Sequence, residues 1–227
     1  MIERPSPSYN ERPAGKPVDM LLIHYTGMPD AESALQRLTD PEADVSSHYL
    51  IDETGQVYRL VDEGRRAWHA GASYWAGKRD INGISIGIEL ANPGHEFGYR
   101  PFAETQMVAL IALCQGILAR HPIPASRVLG HSDVAPARKI DPGELFDWPR
   151  LAASGIGRWA RPAQGPSDLA SVQKALARFG YEVAPSGQAD EATSFALSAF
   201  QRHFRPARIN GIADDETRAL LYGLLRP

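Results

Sequence analysis

Short apolar or alternating runs, each bounded by turn residues, set the pattern of the first part of the chain. They are residues 19–26 (DMLLIHYT), 46–52 (SSHYLID), 56–61 (QVYRLV) and 83–90 (GISIGIEL). Runs of this length and flanking predict strands. DETG at 52–55 separates the second from the third and reads as a hairpin turn. RVLGH at 127–131 predicts one more strand, feeding a loop. Between these runs the period changes. Met107, Leu110, Ile111, Cys114, Ile117 and Leu118 recur at helical spacing, and Pro122 ends that helix. A shorter helix is expected over 31–38. Strands mixed with helices predict an α/β domain on one central mixed β-sheet flanked by helices.

The pattern changes again towards the C-terminus. Residues 153–166 are rich in Gly, Ala and Pro and read as a linker. Ser167 is expected to cap a helix that places Leu169, Val172, Leu176 and Phe179 on one face, with Gly180 as its stop. A short repeat follows, GQADEAT at 187–193 and GIADDET at 211–217. Asp190 and Asp214 can each cap a helix, with a threonine three residues later. Those helices carry Phe195, Leu197, Phe200 and Phe204, then Leu220, Leu221 and Leu224. The expected organisation is a domain over 1–152 with a Pro-rich extension at 1–17, the linker, and a small three-helix domain over 167–227.

Composition narrows the function classes. Of 227 residues, 43% are hydrophobic, so a folded core is expected rather than disorder. A net charge of -3 offers no electrostatic footprint for nucleic acid or anionic lipid. The one cysteine, Cys114, excludes an intrachain disulfide and a Cys-rich zinc finger, and reads as a small core residue. No apolar run approaches membrane-spanning length. The polar N-terminal segment has no signal-peptide core, so a cytoplasmic location is expected.

The candidate chemistry gathers in GHSDVAPARKIDPG at 130–143, a segment with neither helical nor strand periodicity that is expected to be an irregular loop. It holds His131, Lys139 and Asp141. Folding does not need these residues there, whereas a loop on a rigid scaffold can present them. His24 ends an apolar strand. Each residue alone has a plain reading: a satisfied strand histidine, a turn histidine, an Asp-Pro turn. Together they suggest a His/His/Asp zinc site with an open fourth position, the catalytic pattern. Lys139 could donate to a developing oxyanion. Glu89 lies inside an apolar strand, where a carboxylate is expensive unless paired or functional, and it is a natural general base. His69 is a third metal candidate or a substrate contact. Trp68 and Trp75 could offer faces to a sugar, although core packing is commoner. His48 faces the sheet or lines the cleft. His95 and His203 read as surface residues, and His121 as a helix C-terminal cation.

The stretches LLIHYTGM, VSSHYLIDETGQVYRLV, AWHAGASYW, NGISIGIELANPG and GHSDVAPARKIDPG resemble the zinc-dependent N-acetylmuramoyl-L-alanine amidases, which share a fold with peptidoglycan recognition proteins. VQKALARFGY, the paired GxxDxxT motifs and AFQRHF resemble a three-helix peptidoglycan-binding domain. The resemblance implies one zinc ion on His24, His131 and Asp141, with Glu89 and Lys139 catalytic. Trp68, His69, Ala70 and Asn82 are expected to touch substrate. The implied reaction is hydrolysis of the amide between the lactyl group of N-acetylmuramic acid and L-alanine, in peptidoglycan or muropeptide fragments. Two other classes compete: a recognition module without hydrolysis, and a metallopeptidase cutting within the stem peptide. The HExxH motif of one peptidase class is absent.

Overall fold

Met20–Leu22–His24 and Leu21–Ile23 point to opposite faces of one strand, and that alternation organises the molecule. The computed structural model describes residues 1–226; Pro227, the last residue of the expected C-terminal domain, lies outside them. In chain order the strands are β1 (Ile2–Glu3), β2 (Tyr9–Glu11), β3 (Met20–Tyr25), β4 (Tyr49–Ile51), β5 (Val57–Arg59), β6 (Arg65–Ala67), β7 (Ser85–Leu90) and β8 (Val128–Gly130). The helices are α1 (Ala31–Thr39), α2 (Ile81–Ile84), α3 (Gly94–Phe97), α4 (Glu104–Arg120), α5 (His131–Val134), α6 (Trp148–Ala153), α7 (Leu169–Phe179), α8 (Glu191–Phe204) and α9 (Asp215–Leu224).

Among the described residues, six strands form one mixed sheet in the order β1-β5-β4-β7-β3-β8. β4, β7, β3 and β8 run parallel, and β5 turns back antiparallel to β4 through the expected hairpin. On one face Leu21, Ile23, Ile86, Ile88 and Leu90 pack against Met107, Leu110, Cys114 and Ile117 of α4. Each such side chain contributes about 1.5–3 kcal/mol on full burial. On the other face Met20 and Leu22 share a core with Trp75 and with Leu176, Tyr181 and Phe200 of the C-terminal unit. This second face also carries His24, so the candidate site and the C-terminal unit occupy the same side of the sheet.

Several expectations are made more exact, and some are corrected. The Pro-rich extension is built into the fold: β1 pairs with β5, and β2 pairs with β6. The guanidinium of Arg12 donates to the carbonyls of Glu63, Asn82, Gly83 and Ser85, binding the segment to the start of β7. Gly83 and Ile84 belong to α2 rather than to the strand. Residues 131–134 form a helical turn, so the 130–143 segment is not irregular throughout. Asp168, not Ser167, caps α7 by accepting from the Ser171 N–H. Residues 153–166 are held down: Ile156 and Ala160 are buried, and the Ala163 N–H donates to the Ala219 carbonyl at 2.8 Å. Trp75 is core, and Phe195 is exposed.

The C-terminal repeat has a device that its sequence motif hides. Asp190 and Asp214 cap α8 and α9 as expected. A buried glutamine in the preceding helix then ties each loop. Gln173 accepts from the Gly187 N–H and donates to the Gln188 carbonyl and the Thr193 hydroxyl. Gln201 accepts from the Gly211 N–H and donates to the Ile212 carbonyl and the Thr217 hydroxyl.

Candidate active site

Parallel pairing sets His24 of β3 directly beside Glu89 of β7. In β7 the residues Ser85, Gly87 and Glu89 share one face, while Ile86, Ile88 and Leu90 fill the core behind. β8 runs on the other side of β3 and delivers His131 at the first position of α5. The chain then returns, and the Ser132 N–H donates to the Asp141 carbonyl at 2.9 Å, fixing the two arms to each other.

Three ligand-type atoms converge there. His24 Nδ1 and His131 Nδ1 stand 3.0 Å apart, and each lies 3.1 Å from Asp141 Oδ2. All three residues are buried. Ligands ~2.0–2.1 Å from a zinc ion at tetrahedral angles stand roughly 3.3 Å from one another. The triangle therefore has the size of one face of such a tetrahedron, and the donor set suits the metal.

The outer contacts leave the converging nitrogens bare. Ser85 commits its hydroxyl proton to the Ile81 carbonyl at 2.6 Å, so it accepts from His69 Nε2–H at 3.2 Å. His69 Nδ1 must then accept from His24 Nε2–H at 3.0 Å. That leaves His24 Nδ1 without a proton. His131 Nε2–H donates to the Ala70 carbonyl at 3.0 Å, which likewise frees its Nδ1. Such outer partners fix ring orientation and tautomer in metal sites. Burial, then the neighbouring His131, lowers the His24 pKa to about 4, and burial holds His69 well below its ordinary range. For Asp141, burial alone would raise the carboxyl, but His131 and His24 more than offset it and hold it well below the usual carboxylate range.

Glu89 completes the cleft floor. Its Oε2 is buried without a hydrogen-bond partner. Burial pushes its pKa well above the usual range, Asp141 adds to the rise, and Lys139 opposes it. A buried, unpartnered carboxyl oxygen is costly unless something else meets it. The cleft holds about 350 Å³, and Lys139, Arg37 and Arg138 stand on its wall with the apolar Met28, Leu38 and Val45. Arg138 is anchored by the carbonyls of Ala70 and Ala72.

His24, His131, Asp141, Glu89 and Lys139 are thus brought together. The expected substrate contacts are placed differently. His69 touches the cleft but stands behind His24, outside the three-atom cluster. Trp68 lies elsewhere, its Nε1–H donating to Asn10 Oδ1. Ala70 and Asn82 are buried, and Asn82 Oδ1 accepts from the His69 and Ala70 N–H groups. Both support the ring contacts from behind, because the Ala70 carbonyl is the atom that orients His131. His48 is also buried behind the site, its Nδ1 accepting from the Gly87 N–H. His203 is buried rather than superficial. Arg37 and Arg138 were not expected from the pattern. Gly87 did carry a usable signal, since glycine inside a strand marks a close approach. A Cβ there would stand 2.6 Å from the His69 ring.

The fold is a mixed sheet whose cleft carries a His/His/Asp group able to hold a metal ion, and comparison with known proteins gives the family. The N-acetylmuramoyl-L-alanine amidase family profile matches residues 14–144, and a proposed peptidoglycan binding domain matches residues 166–221. The chain belongs to the N-acetylmuramoyl-L-alanine amidase family and is a hydrolase. It is 42% identical over 231 residues to the N-acetylmuramoyl-L-alanine amidase AmiD of Escherichia coli, covering 92% of this chain and 82% of that protein. It is 34% identical to the 1,6-anhydro-N-acetylmuramyl-L-alanine amidase AmpD of Haemophilus influenzae, over 66% of this chain and 89% of that one. The solved complex of AmiD with anhydro-N-acetylmuramic acid-L-Ala-D-γ-Glu-L-Lys superposes with a TM-score of 0.82 at 40% identity, covering 95% of this chain and 92% of that chain. AmpDh3 of Pseudomonas aeruginosa, in complex with anhydromuramic pentapeptide, gives 0.84 at 35% identity, covering 93% and 92%. No helix among the described residues is long and apolar enough to cross a membrane.

Proposed function

We propose that this chain is a zinc-dependent amidase that hydrolyses the amide between the lactyl group of N-acetylmuramic acid and L-alanine in peptidoglycan fragments. The observation that carries this reading is the unpartnered buried oxygen of Glu89 beside the converging His24, His131 and Asp141. Those three residues would hold the ion. A zinc ion there supplies Lewis-acid polarisation of the scissile carbonyl and of water. Glu89 takes the proton from water as the new C–O bond forms. It returns a proton to the leaving nitrogen as the C–N bond breaks, so the carboxyl ends as it began. Lys139 donates to the oxyanion. The rim cations Arg37 and Arg138 suit a stem peptide that carries carboxylates, and Met28, Leu38 and Val45 suit its methyl groups. The C-terminal unit is read as a peptidoglycan-binding domain. A cytoplasmic location would give the site soluble muropeptides, and cell fractionation checks it.

The experiment is mass spectrometry of purified muropeptides, with and without the 1,6-anhydro end, after incubation with zinc-loaded protein. A released peptide beginning with L-alanine, with the peptide-free sugar, supports the amidase and shows which sugar form it accepts. Intact muropeptide with zinc bound makes the chain a recognition module. A cut inside the stem makes it a peptidase.

A further inference from the structure

Asp133 stands two residues past His131 and is 1% exposed. Its carboxylate accepts three hydrogen bonds, each of 2.8 Å, from the Gly130 N–H, the Tyr181 hydroxyl and His203 Nδ1–H. Only the first donor belongs to its own turn. The other two come from the C-terminal unit, 48 and 70 residues further along the chain.

The same unit reaches the Asp141 arm. The His203 ring stacks on Trp148 with centroids 3.8 Å apart. Trp148 backs Gly130, where an added Cβ would stand 3.3 Å from Trp148 Cζ2 and 2.7 Å from Pro142 Cδ. Pro142 follows Asp141 directly. There is no slack at this point for the two arms to move independently.

A buried carboxylate is stable only while its donors satisfy it, and removing one partner leaves charge stranded in a poor dielectric. One relief open to Asp133 is to swing towards water, which would give up its bond from the Gly130 N–H and loosen the turn from Gly130 to Val134. His131 is the first residue of that turn. We propose that His203 and Tyr181 of the C-terminal unit are positioning residues for the metal site, holding Asp133 so that the turn presents His131 Nδ1 to His24 and Asp141. The C-terminal unit is then part of the active-site scaffold, whatever else it binds. This rests on the reading of His24, His131 and Asp141 as metal ligands.

The test is zinc affinity of the full chain, measured by competition with a chromophoric chelator. His203→Ala and Tyr181→Phe lower the affinity by about 10-fold, the low end of the cost of losing a group that touches a ligand directly, because they act through Asp133. His203→Asn, whose side-chain N–H can replace Nδ1–H, recovers most of it. Leu221→Ala, which opens a cavity at a fully buried position of α9, lowers the melting temperature without moving zinc affinity. Tyr181→Phe keeps the ring and its packing, so it stands if His203→Ala does not fold. Unchanged affinity in folded His203→Ala and Tyr181→Phe overturns the proposal, and so does an equal loss in Leu221→Ala. If the unaltered chain binds no zinc, the metal reading fails and the proposal falls with it.

Discussion

Glu89 lies directly across from His24 in the parallel β3–β7 pair, on the same face of the sheet. Neighbouring parallel strands hold paired residues about 4.8 Å apart. A backbone ladder, rather than a flexible loop, therefore fixes the position of Glu89 relative to one ring of the three-residue cluster. The backbone's freedom is small because β7 is paired on both sides, with β4 and with β3.

Glu89→Gln keeps the shape and removes the proton acceptor. Turnover is expected to fall by about 10²–10⁴-fold, the range for a general base. Zinc content stays at one per chain, because Glu89 is not among the converging ligand atoms. Steady-state hydrolysis of a muropeptide beside metal analysis checks both halves. Near-normal turnover in the variant removes Glu89 as the base.

Chelation is expected to abolish hydrolysis by the unaltered chain, and added zinc to restore it. In His131→Ala one corner of the 3.0–3.1 Å triangle is gone, so zinc restores nothing. A ligand that binds only the folded chain also stabilises it by mass action. The melting temperature therefore rises with zinc for the unaltered protein and stays flat for the variant. Recovery of His131→Ala at modest zinc sends the search for ligands elsewhere.

Gly87 gives a prediction at a residue that touches nothing reactive. An alanine Cβ would press on the His69 ring, 2.6 Å away. Overpacking of this kind costs about 1–3 kcal/mol. The ring must shift, which breaks the Ser85–His69–His24 chain of hydrogen bonds. Gly87→Ala should lower both denaturant stability and zinc affinity, whereas a purely local packing defect would lower stability alone.

Acid should destabilise the metal-free protein. His24 and His48 have folded pKa values of about 4 and about 3 against an ordinary 6.5, and His69 is also held low. Between pH 6.5 and about 4 the unfolded chain binds these protons and the folded chain does not. Stability is therefore full above the unfolded pKa and falls as pH drops, at about 1.4 kcal/mol per unit for each such group. Glu89 acts oppositely, because its raised pKa makes the folded state hold a proton above 4.5. One carboxyl offsets one histidine of the three, so the net slope still favours high pH. Urea unfolding from pH 7 to 4 measures it; a flat profile would mean that the rings are protonated in place.

In the C-terminal unit, Gln201→Ala removes the acceptor for the Gly211 N–H and the donor to the Ile212 carbonyl. These groups are half-buried or exposed, so water replaces part of what is lost, and each missing hydrogen bond costs about 0.5–1.5 kcal/mol. The same loss is expected for Gln173→Ala, since that side chain occupies the equivalent place in the first half of the repeat. Chemical denaturation compares the two directly, and a cost in only one would show that the loops are not equivalent.

The sequence by itself determined the local elements and the chemistry-bearing residues. Continuous apolar runs located β3 and β7 because these central strands are buried on both faces, the period-3.6 pattern located α4, and the glycine- and aspartate-rich repeats located the caps of α8 and α9. His24, His131, Asp141, Glu89 and Lys139 were legible because polar groups at a strand end, inside an apolar strand or in a Pro- and Gly-rich segment have no folding reason to be there. Tertiary structure alone decided the rest. Whether His203 is exposed depends on Asp133 and Trp148, 70 and 55 residues earlier in the chain. Whether Ala70 and Asn82 meet substrate or support His131 depends on a carbonyl turned inward across the sheet. Burial and hydrogen-bond partnership belong to pairs of elements, and periodicity within one element holds no record of its neighbour.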